Sequence, residues 1–127
     1  MIKSIKVLFV AIRFKTLIAS ISPVIIGSAL SFKYGLFDLR IFSFTLLASI
    51  FIQIGTNFSN DLHDYLKGAD NDDRLGPTRT VQSKLISVNH MKLLIILSFL
   101  FSILCGFPLV LKGGYPILII GVLGITS

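Results

Sequence analysis

Residues Ile41 to Asp64 read "IFSFTLLASIFIQIGTNFSNDLHD". From Ile41 to Asn60 the stretch carries no Asp, Glu, Lys or Arg, and the first acids follow at Asp61 and Asp64. A helix of about 20 residues rises about 30 Å, the thickness of a bilayer's hydrocarbon core. The run is continuously apolar instead of alternating, so it predicts a membrane-spanning helix and not a strand of a lipid-facing barrel.

The rest of the chain agrees with that reading. It has 127 residues, of which 54% are apolar, and a mean hydropathy of +0.87, more apolar than a small soluble core requires. Thr16 to Phe32, Leu93 to Leu111 and Gly113 to Ser127 also lack charged side chains, and the first two are long enough to cross. Spans are expected at about 16–34, 41–66, 93–111 and 116–127, with Pro23 kinking the first. Arg13 and Lys15 interrupt the first apolar stretch, which argues against a cleaved signal peptide. The last run is short and has no closing charge, so the chain is expected to be the N-terminal portion of a larger all-α transmembrane bundle.

The formal charge is +6, but the basic residues follow topology, so no nucleic-acid partner is inferred. Lys3, Lys6, Arg13 and Lys15 precede the first span, and Lys67, Arg74, Arg79, Lys84 and Lys92 lie between the second and third. An even number of crossings puts these nine on one side, against Lys33, Arg40 and Lys112 on the other. The positive-inside rule makes the first side cytoplasmic. Cys105 is the single cysteine and reads as a small apolar side chain within a span.

Five of the six carboxylates fall between Asn57 and Arg79, within a cytoplasmic segment of about 61–92. The second span continues as a helix toward Gly68, its first stop signal, and "ADNDDRLGPTR" has the composition of a loop. "TVQSKLIS" is expected to re-enter a helix. At 100° per residue, Gln53, Asn57, Asn60, Asp61, Asp64 and Gly68 share an arc of roughly 80°. Asp61 and Asp64 are neighbours on that face, and a cation is the simplest way to keep both ionised. Oxygen ligands without Cys or Glu favour Mg²⁺ over zinc, and Mg²⁺ completes its shell with water and substrate phosphates. Arg74 and Arg79 can then grip a diphosphate bidentately, with Lys67 as a point charge. Arg74 and Leu75 break the calcium-loop pattern that starts at Asp70, and no Walker A sequence occurs. His63 and His90 read as interfacial residues.

"NFSNDLHD" resembles the first Asp-rich signature, Asn-x-x-x-Asp-x-x-Asp, of the UbiA superfamily of intramembrane prenyltransferases. "KGAD", "DRLGPTR", "VQS" and the N-terminal "RFKTLIASISPVIIGSAL" are similar to its 1,4-dihydroxy-2-naphthoate polyprenyltransferase branch. The resemblance covers nearly the whole chain and implies a helical bundle of about nine spans. It also implies transfer of a polyprenyl group from polyprenyl diphosphate to 1,4-dihydroxy-2-naphthoate, with loss of CO₂, in menaquinone biosynthesis. Asn57, Asp61, Asp64 and Asp70 would hold Mg²⁺, with Asp61 and Asp64 catalytic. Asn57, Asn60, Lys67, Arg74 and Arg79 would bind substrate, with Arg13 as a further candidate. Another aromatic acceptor such as 4-hydroxybenzoate, or a non-catalytic membrane fragment, is the alternative. The implied setting is the lipid bilayer of a bacterial cytoplasmic membrane. Lys84 departs from the branch, which has Gly after "QS". The second Asp-rich motif of the family is not within these residues, and the chain by itself is expected to be inactive.

Overall fold

A computed structural model of the protein describes residues 5–68, 80–81 and 84–126. Asp70, Asp72, Asp73, Arg74 and Arg79 lie outside them. Five helices follow one another: α1 (Ile5–Ile12), α2 (Phe14–Lys33), α3 (Leu39–Leu66), α4 (Val88–Gly113) and α5 (Tyr115–Thr126). Among the described residues there is no strand. Helices α2, α3 and α4 are long and apolar enough to cross a membrane, and α5 is a shorter apolar helix.

Within the basic N-terminal segment Ile5–Ile12 is itself helical, and the break that separates it from α2 was not anticipated. Arg13 takes φ 55 and ψ 67, a left-handed conformation that stops α1 and lets α2 start in a new direction. Helix α2 then runs unbroken through Pro23 to Lys33. The Asp38 side chain caps α3 by accepting from the Arg40 and Ile41 amides at 2.8 and 3.3 Å. At the other end of α3, Lys67 is the C-cap and Gly68 follows at φ 62, a left-handed exit that glycine takes without strain.

The described residues of "TVQSKLIS", Thr80, Val81 and Lys84 to Ser87, do not form the expected helix. Lys84 adopts φ 55 and its amide donates to the Val81 carbonyl at 3.0 Å, while the Thr80 carbonyl accepts from both Leu85 and Ile86. These bonds use the backbone groups a helix needs, so α4 begins only at Val88, capped by Ser87.

Helix α3 is the centre of the bundle and touches each of the other four. Its partner α4 runs antiparallel to it. At one end the Asp38 carboxylate meets Lys112 at 2.9 Å, and at the other Asp61 meets Thr80. Where the helices run through lipid there is no hydrophobic drive between them, so close approach depends on small residues. Gly55 illustrates this: a Cβ there would lie 3.0 Å from the Phe99 ring. Phe51 and Phe101 stack at 5.3 Å between centroids, and the Ser49 hydroxyl donates to the Ser20 carbonyl across α2 and α3 at 2.9 Å. The fully buried apolar cluster gathers at the Asp61 end, where Ala11, Phe58, Leu62, Val81, Ile86 and Met91 exclude solvent together.

Candidate functional site

Asp61 sits within that cluster with only 3% of its surface exposed, although it is ionisable. A buried carboxylate is tolerated when donors compensate for lost water. Thr80 supplies two of them: its amide donates to Asp61 Oδ2 at 3.0 Å, and its hydroxyl donates to the same oxygen.

Asn57, one turn earlier, is equally buried and faces the opposite neighbour. Its Nδ2 donates to the Ile12 carbonyl and to Thr16 Oγ1, both at 2.7 Å, and Thr16 Oγ1 donates in turn to the Arg13 carbonyl at 2.8 Å. The left-handed break at Arg13 leaves the end of α1 without helical partners, and the Asn57 amide takes the place of one. Asn57 Oδ1 accepts from Gln53 Nε2 at 3.3 Å.

The single polar stripe expected from helical periodicity is therefore divided. Asn57 and Asp61 turn into the bundle, Asp64 is half-buried, and Asn60 and Lys67 are exposed. Arg13 is half-buried at the α1/α2 junction, and His63 is exposed. Among the described residues, no group of three or more His, Cys, Asp or Glu side chains comes together. Sequence reasoning missed Thr16 and Thr80. Both lie on other segments, 41 and 19 residues from their partners, so no periodicity links them.

An apolar cleft of about 860 Å³ opens between α3, α4 and α5, with Ser20 of α2 at its edge. It reaches from Lys112 and Gly113 to Gln53. Gln53 binds Asn57, so the cleft ends where the polar side chains begin.

The UbiA prenyltransferase family model matches residues 20–127. The chain belongs to this family. Three proteins named 1,4-dihydroxy-2-naphthoate octaprenyltransferase are similar to it. The Escherichia coli (strain K12) protein is 35% identical over 79% of this chain and 32% of its own length. The Haemophilus influenzae protein is 36% identical over 74% and 31%, and the Bacillus subtilis (strain 168) protein is 28% identical over 95% and 39%. The chain thus spans about a third of the length of these relatives. No solved structure matches significantly. Family membership and three apolar helices make this UbiA chain an integral membrane protein.

The Mg²⁺ implied by the UbiA family can be tested against the donor set. Two carboxylates on adjoining turns, both oxygen donors, are the protein contribution Mg²⁺ commonly takes when substrate phosphates supply the rest. Asp61 and Asp64 fit that requirement. Asn57 has committed its amide nitrogen to Ile12 and Thr16, so only its Oδ1 can contribute.

Proposed function

We propose that this chain forms the N-terminal part of a prenyltransferase of menaquinone biosynthesis. It would move a polyprenyl group from its diphosphate to 1,4-dihydroxy-2-naphthoate, with loss of CO₂, to give demethylmenaquinone. The observation that carries the reading is the junction at Gln53. There an apolar cleft meets a helix whose next two turns present Asn57 and the buried carboxylate of Asp61, about 12 Å further along the axis. A polyprenyl diphosphate has the same division, with an isoprenoid chain behind a charged head. The names of the three relatives supply the acceptor.

In this reading Asp61 and Asp64, assisted by Asn57 Oδ1 and by Asp70, hold Mg²⁺. Asn60, Lys67, Arg74, Arg79 and Arg13 would contact the diphosphate. Bound Mg²⁺ would offset the charge that grows on the leaving diphosphate as the allylic carbon–oxygen bond breaks. The protein's own work is positional: burial of Asp61 fixes one acid on a rigid helix, and the cleft keeps water from the allylic carbon until the naphthoate ring attacks. The nine basic residues flanking the first three spans on one side support a site at the cytoplasmic face of the bacterial membrane.

The test is acceptor choice. Membranes carrying the protein at its full encoded length are given Mg²⁺, a polyprenyl diphosphate and either 1,4-dihydroxy-2-naphthoate or 4-hydroxybenzoate. Prenylated naphthoate with release of CO₂ is expected, and product from hydroxybenzoate alone overturns the assignment.

A further inference from the structure

We propose that Gln53 selects the acceptor ring by taking a hydrogen bond from its hydroxyl, at the inner end of the apolar cleft. The identity of the ring rests on the prenyltransferase reading, but the polarity of the site does not. The Ile12 carbonyl can only accept, so the nitrogen of the Asn57 amide has to face it, at 2.7 Å. Thr16 Oγ1 uses its proton on the Arg13 carbonyl, and it too accepts from Asn57 Nδ2. Asn57 Oδ1 is thereby turned toward Gln53 and takes a donor there, Gln53 Nε2 at 3.3 Å. The orientation of the Gln53 amide is fixed in turn by this network. Its Oε1 lies across the amide carbon from that bond, and among the described residues no group donates to it. A chain of amides runs from the end of α1 to the cleft and presents an acceptor there.

The other polar side chains of the cleft have the same sign. Ser20, Thr45, Ser49 and Ser102 line it, and each hydroxyl donates to a backbone carbonyl, at 2.8, 2.7, 2.9 and 2.8 Å in that order. With their protons engaged, these hydroxyls can offer a ligand only lone pairs. Among the five side chains, the donor left over is the second Nε2 hydrogen of Gln53. An apolar cavity with a few converging acceptors matches a flat ring that carries donor hydroxyls. In 1,4-dihydroxy-2-naphthoate the 1-hydroxyl donates to the adjacent carboxylate, which leaves the 4-hydroxyl for Oε1. Gln53 stands about 12 Å along the axis from Asp61, which leaves room between them for the charged head of the isoprenoid.

The test is equilibrium dialysis of the full-length protein in detergent, under argon, against 1,4-dihydroxy-2-naphthoate and against 1-hydroxy-2-naphthoate, which lacks the 4-hydroxyl. The parent is expected to bind the dihydroxy ring about 10-fold more tightly, the scale for one buried hydrogen bond. Gln53→Met keeps the length of the side chain and removes both of its polar atoms. It should bring the two affinities within about 3-fold of each other and raise KM for the dihydroxy ring by about 10-fold, with KM for the prenyl diphosphate unchanged. If Gln53→Met does not fold, Gln53→Leu takes its place, and the parent's own ratio still decides. Equal binding of the two rings by the parent, or a preference that survives loss of the amide, overturns the role of Gln53 alone. Binding of neither ring by the parent overturns the naphthoate reading together with it.

Discussion

Asn57 Nδ2 lies 2.7 Å from the carbonyl oxygen of Ile12, the last residue of α1, across 45 residues of sequence. A residue read from the sequence as a ligand thus also closes a helix end. Asn57→Leu should leave that carbonyl without a donor and cost about 1–3 kcal/mol, the range for a buried polar group deprived of its partner. Asn57→Asp should cost more, because it keeps an oxygen for a cation but points it at two acceptors. Thermal unfolding in detergent without added Mg²⁺ checks both. A melting temperature unchanged in Asn57→Asp would show that the amide holds nothing.

Replacing Asp61 or Asp64 by Asn removes a charge with almost no change in shape. Each should reduce prenyl transfer by about 10²- to 10³-fold, the scale for losing one group of a preorganised electrostatic site. In Asp61→Asn the new side-chain carbonyl would still accept from Thr80, so membrane insertion and the amount of folded protein should hold. Near-parental turnover in either variant, at equal protein in the membrane, removes that acid from the metal site.

Lys84 sits at φ 55 in the turn that follows Val81. The left-handed region costs a residue with a Cβ about 1–2 kcal/mol, partly offset for glycine by its larger unfolded-state entropy. Lys84→Gly should therefore stabilise by about 0.5–1 kcal/mol. The measurement is the melting temperature, expected to rise by a few degrees; a fall would mean that the lysine side chain contributes more than its backbone costs.

Asp38 is held below its ordinary carboxyl value of 3.8, first by the hydrogen bond from Lys112 and then by the Ile41 and Arg40 amides. A lowered folded-state pKa gives stability that is complete above the unfolded value and is lost as pH falls through the folded one. The pair is exposed, so the effect is small. Lys112→Gln should lower the melting temperature slightly at about pH 7, and the gap to the parent should close as pH falls below the ordinary carboxyl range. A gap of constant size across that range would trace the loss to packing.

What the sequence disclosed was the part written in local periodicity. Charge-free runs marked α2, α3 and α4, and the spacing of Asn57, Asp61 and Asp64 placed them on adjoining turns of one helix. The contacts that give those residues different surroundings are non-local. Nothing in "RFKTL" announces that Arg13 will turn left-handed, and the cost of that turn is met by an amide on α3. Thr80 was likewise passed over as part of an expected helix, since only the folded chain brings its hydroxyl to Asp61. Lys84 was the partial exception. The resemblance leads one to expect glycine there, which marked the position, and the backbone angle of φ 55 supplies the reason.

The two ends of the α3/α4 pair are fastened differently. The Asp61 end has the Thr80 clasp and the solid packing of Phe58, Leu62, Ile86 and Met91, whereas the far end is joined by the exposed Asp38–Lys112 pair beside the cleft. The two helices are built like a clothes-peg, with the spring at the acids and the jaws at the opposite surface. A load placed in the cleft would fall on the jaws first, at the end where the helices are joined by an exposed ion pair and not by packing.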